Sequence, residues 1–129
     1  MLAVDANVLV RFLTADDAKQ AQRALALIRD TPIWVAKTVL LETQWVLHSL
    51  YGFGAERVAT SLEGLLGLPN VFVEDPQSVQ RALSWFAAGL DFADAVHLAS
   101  RGGSEAFVTF DANFRKRAGR LTKVPVRAP

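Results

Sequence analysis

Short apolar runs and longer stretches with helical spacing alternate along the whole chain of 129 residues. The short runs are rich in β-branched and aromatic residues, as buried strands of a parallel sheet are. They predict five strands, at residues 2–4, 33–35, 71–73, 106–108 and 124–126. The regular alternation of such strands with helical stretches predicts an α/β fold.

The longer stretches predict the helices that separate these strands. One helix begins near Asp17 and places Ala18, Ala21, Leu25 and Ile28 on one face. The other helices are predicted at residues 38–50, 55–66, 76–88 and 91–100, with glycine breaks at 52–54 and 102–103. No internal repeat and no linker divides the sequence, so we expect a single domain over residues 1–129.

The composition changes the picture by what it excludes. Hydrophobic residues make up 51% of the chain and charged residues 21%, which is typical of a folded domain and excludes a disordered tail. The absence of cysteine excludes a disulfide framework, a thiolate zinc site and a cysteine nucleophile. The mean hydropathy of +0.21 is high for a free monomer and predicts an apolar surface that another subunit or partner covers.

The sequence also carries a prediction about location. No apolar run approaches the roughly 18 to 20 residues that a membrane span needs. Asp5 interrupts the first apolar run too early for a secretory signal peptide. We therefore expect a soluble protein of the cytoplasm.

Acidic residues stand where the first and fourth predicted strands end. Asp5 follows the first strand, and Asp111 follows the fourth in the run Val108-Thr109-Phe110-Asp111. Open α/β sheets bind their ligands at the carboxyl ends of the strands. Taken singly, however, each acid is more typical of a helix N-cap than of an active site.

Two further acids stand within apolar helical stretches. Glu42 and Asp94 have apolar neighbours on both sides, and no lysine or arginine lies three or four residues away from either. Because a desolvated carboxylate without a partner is costly, we expect both to share a cation. Oxygen ligands in a cluster of three or four suit Mg²⁺ or Mn²⁺.

The segments that contain these acids resemble the motifs of the PIN-domain ribonucleases. Four segments carry the resemblance, in the order that the family has them: Val4-Asp5-Ala6-Asn7-Val8-Leu9, the pair Thr38 and Glu42, Asp91-Phe92-Ala93-Asp94-Ala95, and Thr109-Phe110-Asp111-Ala112-Asn113-Phe114. They extend over nearly the whole chain. Within that family, the small size of the chain is similar to that of the VapC-type toxins of bacterial toxin-antitoxin pairs.

The resemblance implies a fold, a site and partners. It implies a single PIN-like domain with a parallel sheet of about five strands, ordered 3-2-1-4-5 and flanked by helices. It implies that the catalytic, metal-binding acids are Asp5, Glu42, Asp94 and Asp111. It further implies that Asn7, Thr38 and Thr109 support the site, whereas Asp91 either contacts a metal through water or caps its helix.

The activity implied is that of an endoribonuclease in which carboxylate-held Mg²⁺ or Mn²⁺ activates a water molecule. The implied partners are the RNA substrate, a cognate antitoxin and a second copy of the chain. The antitoxin or the second copy is expected at an apolar groove around Trp45, Leu50, Tyr51 and Phe53. Most other aromatic residues are assigned to the core. For His48 and His97 we favour structural or partner contacts over catalysis, since neither pairs with a nucleophile.

Charge is distributed unevenly along the chain. The first 111 residues contain eight basic and thirteen acidic residues, whereas the remainder contains six basic residues and no acidic one. A charged end is often merely solvated. Because Arg115, Lys116 and Arg117 follow Asp111 closely, we expect them to contact RNA and to allow a polyanion to approach the acids.

Other functions compete with this interpretation. The alternative from another class is a receiver-type phospho-acceptor module, which would use Glu74, Asp75 and Lys123 but has no use for Glu42 or Asp94. A phosphatase similar to the haloacid dehalogenases would share Asp5 but would need a second aspartate at the position of Asn7. A metal-free protein that only binds RNA is a third possibility. The motifs of serine hydrolases and P-loop NTPases are absent.

Overall fold

Five short strands and seven helices alternate along the chain in the computed structural model, which describes all of residues 1–129. The strands are β1 (Leu2–Ala3), β2 (Ile33–Val35), β3 (Val71–Val73), β4 (Phe107–Val108) and β5 (Val126–Arg127). The helices are α1 (Ala6–Thr14), α2 (Ala18–Asp30), α3 (Lys37–Ser49), α4 (Ala55–Leu66), α5 (Pro76–Ala87), α6 (Phe92–Ala99) and α7 (Ala112–Leu121). The predicted α/β class is confirmed. None of the helices combines the length and apolar character needed to cross a membrane.

All strand pairs are parallel, but the strands form two sheets. The three-stranded sheet has the order β1-β2-β3, which agrees with the 3-2-1 part of the predicted order, and Ile33 pairs with Leu2 and Val71. The other sheet consists of β4 and β5. The hydrogen-bonded ladders therefore differ from the single five-stranded sheet that was expected. Strands of two or three residues offer few backbone groups for pairing. A sequence pattern does not indicate which of these strands form hydrogen bonds with each other.

The last strand begins two residues later than predicted. The amide of Val124 donates to Oγ1 of Thr122 at 3.2 Å and so belongs to a turn. Pro125 has no amide hydrogen to donate, although its carbonyl accepts from Phe107 at 2.9 Å. These two features explain why the β-branched run at 124–126 becomes a strand only at its end.

The chain forms two compact units, residues 1–76 and residues 77–129. The first unit contains the three-stranded sheet and α1 to α4. Its fully buried side chains include Leu9, Ile33, Val35, Leu40, Leu47, Val58 and Leu62. Helical spacing in α3 and α4 and alternation in β2 place these residues on the buried faces, as the apolar pattern predicts.

Two helices lie between β1 and β2, and the sequence pattern predicts bounds for only one of them. The helix α1 ends at Thr14, and its C-cap, Ala15, takes a left-handed conformation with φ of 53° and donates its amide to the carbonyl of Arg11. Glycine is the usual residue at such a helix end. Because alanine stands there, this break has no signal in the sequence. The start of α2 is as predicted, since the Asp17 side chain caps it by accepting from the Gln20 amide at 3.0 Å.

The second unit contains α6, α7, the β4–β5 pair and all but the first residue of α5. Its core includes two aromatic pairs: the rings of Phe86 and Phe92 lie 5.2 Å apart, and those of Phe107 and Phe114 lie 5.4 Å apart. Gly89, with φ of 111°, lies in the turn between α5 and the segment that starts α6. A residue with a Cβ is strained in that conformation, so glycine is needed for the chain to enter α6 at this point.

A polar network links α1 to the loop after α3 in the first unit. The Arg11 guanidinium donates to Asp16 and to the hydroxyl of Tyr51 at 2.9 and 3.0 Å, and that hydroxyl donates to Asp16 at 2.5 Å. The hydrogen bond from Tyr51, followed by those from Arg11 and Thr14, lowers the pKa of Asp16 from 3.8 to about 2. The native state therefore gains stability from ionised Asp16 above pH 3.8 and loses it as pH falls through about 2.

Replacing the tyrosine tests this network. In Tyr51→Phe the pKa of Asp16 should rise from about 2 toward 3.8, because its strongest hydrogen-bond donor is gone. NMR titration of the carboxyl carbons measures the change directly. The pKa of Asp30, which its neighbour Arg29 lowers, serves as an internal control and should not move. An Asp16 pKa still near 2 would contradict the assignment of Tyr51 as the main cause.

Candidate active site

Three aspartates line one cavity in the second unit. The cavity has a volume of about 270 Å³, and its lining includes Asp91, Asp94 and Asp111. Asn113 and Arg117 also line it, together with the apolar Leu90 and Phe114. The cavity thus contains two of the acids that the sequence pattern selects, Asp94 and Asp111, together with Asp91, which the family resemblance adds, and the cation Arg117.

Asp111 lies between β4 and α7, where the strand gives way to the helix. Its carboxylate caps α7 by accepting from the Phe114 amide at 3.0 Å, and its own amide donates to Oγ1 of Thr109 at 3.1 Å. The expected N-cap is therefore confirmed, and the same side chain also lines the cavity. Thr109 holds the backbone on which Asp111 stands.

Asp94 is the least solvated of the three acids. Its backbone amide donates to the Asp91 carboxylate at 3.0 Å, so Asp91 caps the helix that carries Asp94. Burial, reinforced by the negative charges of Asp91 and Asp111, raises the pKa of Asp94 above 3.8, while His97 acts in the opposite direction. As the sequence pattern predicts, Asp94 is partly desolvated and forms no ion pair with a lysine or an arginine.

The chemistry of these donors fits a divalent cation. None of the ion pairs in the structure involves Asp91, Asp94 or Asp111. The repulsion felt by Asp94 is of the kind that a bound cation relieves, and carboxylate oxygens are ligands of Mg²⁺ and Mn²⁺. No group of three or more histidine, aspartate or glutamate side chains is placed so that it could hold a metal ion together.

The remaining candidates belong to the first unit. Asp5 is exposed and caps α1, its carboxylate accepting from the Val8 amide at 3.2 Å. Asn7 lines a different cavity, of about 360 Å³, with Arg11 and Arg23. Thr38 lies one helical turn before the exposed Glu42 on the same side of α3.

The expected burial of Glu42 is wrong. The helix α3 buries Leu40, Thr43 and Leu47, whose spacing defines one face, and Glu42 lies outside that face and is exposed. Apolar residues surround this helix on several sides, including Trp45, which is 57% exposed. The sequence pattern therefore did not distinguish the buried face of α3 from the exposed one.

The three cations after Asp111 have different environments. The Arg115 guanidinium donates to the carbonyl of Thr109 at 2.9 Å, which secures the loop before Asp111. Lys116 and Arg117 are exposed, and Arg117 also lines the acidic cavity. Arg115 therefore has a structural role that the charge pattern did not predict.

The expected apolar groove near the glycine corner is only partly present. Trp45 and Leu50 are 57% and 68% exposed. Phe53, in contrast, is buried, and Tyr51 is engaged in the network with Arg11. His48 forms a hydrogen bond from Nδ1 to the Phe53 carbonyl oxygen at 3.0 Å, in keeping with the structural role expected of it.

The acids that a receiver-type module would use have structural partners. The Glu74 carboxylate accepts from the Lys37 amide at 2.9 Å, at the start of α3. Asp75 forms an ion pair with the Lys37 side chain at 2.8 Å. These contacts assign both acids to the junction of β3 with α3 and leave the receiver interpretation without a free acceptor there.

Asn113 was not among the predicted site residues, although it lines the acidic cavity. A signal for it exists in the sequence. Asp111 and Asn113 are separated by one residue, as are Asp5 and Asn7. The same pattern after two strands would have selected both asparagines.

Comparisons with known proteins bear on the whole chain. A family model described as the PIN domain matches residues 2–120. No curated protein matches the sequence. The chain is similar to the crystal structure of VapC20 from Mycobacterium tuberculosis, described as a Sarcin-Ricin loop cleaving toxin, with 22% identity over 97% of this chain and 99% of that chain and a TM-score of 0.45.

Removing one charge from the cavity should reveal its electrostatic cost. Because the native state raises the pKa of Asp94, protonation stabilises the fold fully below pH 3.8, and this stabilisation is lost as pH rises through the native pKa. Without metal at neutral pH, Asp94→Asn should therefore melt at a higher temperature than the parent. With Mg²⁺ at a hundredfold excess over its dissociation constant, the parent should gain about 2.7 kcal/mol and the order should reverse.

The measurement consists of melting curves for parent and variant, each with chelator and with Mg²⁺. Asp30→Asn is the control, because Asp30 is an exposed acid whose partner is Arg29. Its melting temperature should not respond to the metal differently from that of the parent. A less stable Asp94→Asn variant in chelator would show that Asp94 is a structural acid.

Proposed function

This chain belongs to the PIN-domain family, and on that premise we propose that it is a metal-dependent endoribonuclease, the toxin of a toxin-antitoxin pair. The observation that carries the proposal is the cavity lined by Asp91, Asp94 and Asp111, where Asp91 and Asp111 raise the pKa of Asp94 and none of the three forms an ion pair. Such an arrangement is unfavourable for stability and is typical of functional sites.

We assign the ligands of the cation from two sources. The cavity supports Asp94 and Asp111 as ligands, with Asp91 holding the helix of Asp94 in place through its cap. Asp5 and Glu42 complete the ligand set on the strength of the family resemblance alone. Asn7, Thr38 and Thr109 are proposed as supporting residues. The hydrogen bond from the Asp111 amide to Thr109 supports the proposal for Thr109.

The reaction proposed is hydrolysis of an RNA phosphodiester bond. When bound, Mg²⁺ or Mn²⁺ supplies the Lewis acid that activates water and stabilises the leaving oxygen. The carboxylates would hold the cation in place, and the cation would offset the negative charge of the phosphate. Water would attack phosphorus and release a proton to the solvent, the bond from phosphorus to the 3′ oxygen would break, and that oxygen would take up a proton from the solvent, so that the products carry a 5′-phosphate and a 3′-hydroxyl.

Positive charge beside the cavity makes the approach of RNA feasible. A pocket lined by carboxylates repels a polyanion unless cations lie nearby. Arg117 lines the cavity and Lys116 is exposed beside it in the sequence. We propose that both contact RNA phosphates, while Arg115 contributes by holding the Thr109 carbonyl.

The partners proposed are an antitoxin and a second copy of the chain. Trp45 and Leu50 leave a large apolar area exposed near the end of α3, and the mean hydropathy of +0.21 also favours a covered surface. We propose that this surface lies in an interface with one of these partners.

Substitution of single carboxylates tests the proposed chemistry. Asp5→Asn, Asp94→Asn and Asp111→Asn should each lower metal-dependent cleavage of RNA by about 100-fold or more, because loss of one ligand misplaces the cation. Glu42→Gln should act in the same direction. Cleavage of a labelled single-stranded RNA, with Mg²⁺ or Mn²⁺ and with chelator, provides the measurement.

Asp30→Asn is again the matched control and should retain full activity. Full activity in purified Asp94→Asn or Asp111→Asn would refute the site assignment. Binding of RNA without cleavage by the parent, at any metal concentration, would favour the metal-free RNA-binding protein instead.

The role of the cations can be tested through salt dependence. The double variant Lys116→Ala with Arg117→Ala should bind RNA more weakly and flatten the plot of log affinity against log salt concentration. For single strands the slope should change by up to about 0.7 for each lost phosphate contact. Lys123→Ala removes an exposed cation elsewhere in the same segment and should leave the slope as it is. An unchanged slope in the double variant would show that these cations do not contact RNA phosphates and are merely solvated.

The interface proposal is tested by light scattering of the purified chain. The parent should form dimers, and Trp45→Glu should shift the equilibrium toward monomers because a charge would be buried at the interface. Monomers of the parent at all concentrations would exclude the homodimer and leave the antitoxin as the partner for this surface.

A further inference from the structure

Phe110 is the most exposed large apolar side chain of the molecule. It is 87% exposed and lies between β4 and α7, immediately before Asp111. Two nearby phenylalanines behave differently, since Phe107 and Phe114 pack against each other at a ring distance of 5.4 Å. Phe110 takes part in none of the aromatic contacts. The core of this unit therefore does not account for its presence.

The backbone on both sides of Phe110 is fixed by hydrogen bonds. On one side, the Thr109 amide donates to the Arg127 carbonyl at 3.0 Å, and the Thr109 carbonyl accepts from Arg115 at 2.9 Å. On the other side, the Asp111 amide donates to Thr109 and the Asp111 carboxylate caps α7. The backbone that carries the ring is thus fixed before binding, which lowers the entropic cost of binding a ligand to the ring.

Polar and charged residues that follow Phe110 in the sequence line the acidic cavity. Asp111 and Asn113 line the acidic cavity, and Arg117 lines it one helical turn later. Val108, which is 50% exposed, is the other exposed apolar residue of this segment. An exposed ring one residue before an acid of this cavity, which Arg117 also lines, suits a ligand that has both a flat apolar face and a negative charge. A nucleotide has both.

We propose that Phe110 is a stacking platform for a base of single-stranded RNA, next to the phosphodiester that is cleaved. The inference rests on the proposed ribonuclease function and names the form of RNA that this site accepts. Every base has a flat face, so stacking on an aromatic ring tolerates different sequences. A base that is paired in a duplex is not free to stack on a protein ring, so the platform selects unpaired nucleotides.

This role differs from that of the acids. Phe110 contributes to binding of the substrate, but it transfers no proton and coordinates no metal. Its loss should therefore raise KM, whereas loss of a carboxylate lowers kcat. A ring that packs against another protein chain would instead affect assembly and leave KM unchanged.

The test compares four variants with the parent on a defined single-stranded RNA. Phe110→Ala should raise KM by about 10-fold or more with little change in kcat, in line with the usual contribution of one stacked base. Phe110→Tyr and Phe110→Trp keep an aromatic face and should retain a KM near that of the parent. Phe110→Leu keeps a large apolar side chain without that face and should resemble the alanine variant.

Fluorescence provides a readout that does not depend on cleavage. In chelator, single-stranded RNA should quench the added emission of Phe110→Trp relative to the parent, which has three tryptophans. A fully paired duplex of the same sequence should quench it much less. Because the side chain is exposed, all four variants should melt within a few degrees of the parent, and melting curves verify this.

The outcomes separate this inference from the proposed function. If the parent neither cleaves nor binds RNA, both are overturned. If the parent cleaves RNA while Phe110→Ala or Phe110→Leu has the KM of the parent, the stacking role alone is overturned. A change in oligomeric state of Phe110→Ala in light scattering, without a change in KM, would likewise overturn it and assign the ring to a protein interface.

Discussion

A single kind of hydrogen bond positions three of the five candidate acids. The carboxylates of Asp5, Asp91 and Asp111 each accept from a backbone amide three residues later, at distances of 3.2, 3.0 and 3.0 Å. Each cap starts a helix and fixes the acid at the same time. A carboxylate has two oxygens, so an acid that caps a helix retains capacity for a cation. The structural and the functional interpretation of these acids are therefore compatible.

Asp94 contributes a different element, because it lies within a helix and cannot serve as its cap. Its environment disfavours the charged form, through burial first and then through Asp91 and Asp111. A fold that retains such an acid sacrifices stability, which is common at functional sites. Arg115 shows the opposite balance: a cation close to the acids satisfies a carbonyl of the loop instead of a carboxylate. Arg115 therefore stabilises the loop before Asp111, while the acids of the cavity form no ion pair.

Much of the secondary structure was predictable, because each element has a local cause. The helix α4 has the predicted bounds, and β2 and β3 agree residue by residue, since short β-branched runs and helical periodicity are strong signals. The prediction failed where the local sequence contains no signal for the end or the start of an element. Ala15 ends α1 without a glycine, and Pro125 delays β5 through a missing amide hydrogen whose effect depends on the partner strand. The acids were found because their types and spacing are unusual in apolar segments, and their shared ligand set remains a prediction.

The sequence by itself determined which residues carry charge, which stretches bury apolar faces and which family the chain resembles. The tertiary structure decided how each side chain is exposed, because burial depends on what packs against a helix from elsewhere in the chain. Glu42 and Asp94 have similar apolar neighbours in sequence, yet Glu42 is exposed and Asp94 is partly buried. Likewise, Phe53 is buried whereas Phe110 is 87% exposed, although both lie in loops. Local sequence records the chemistry of a side chain, and only long-range packing determines whether water or protein surrounds it.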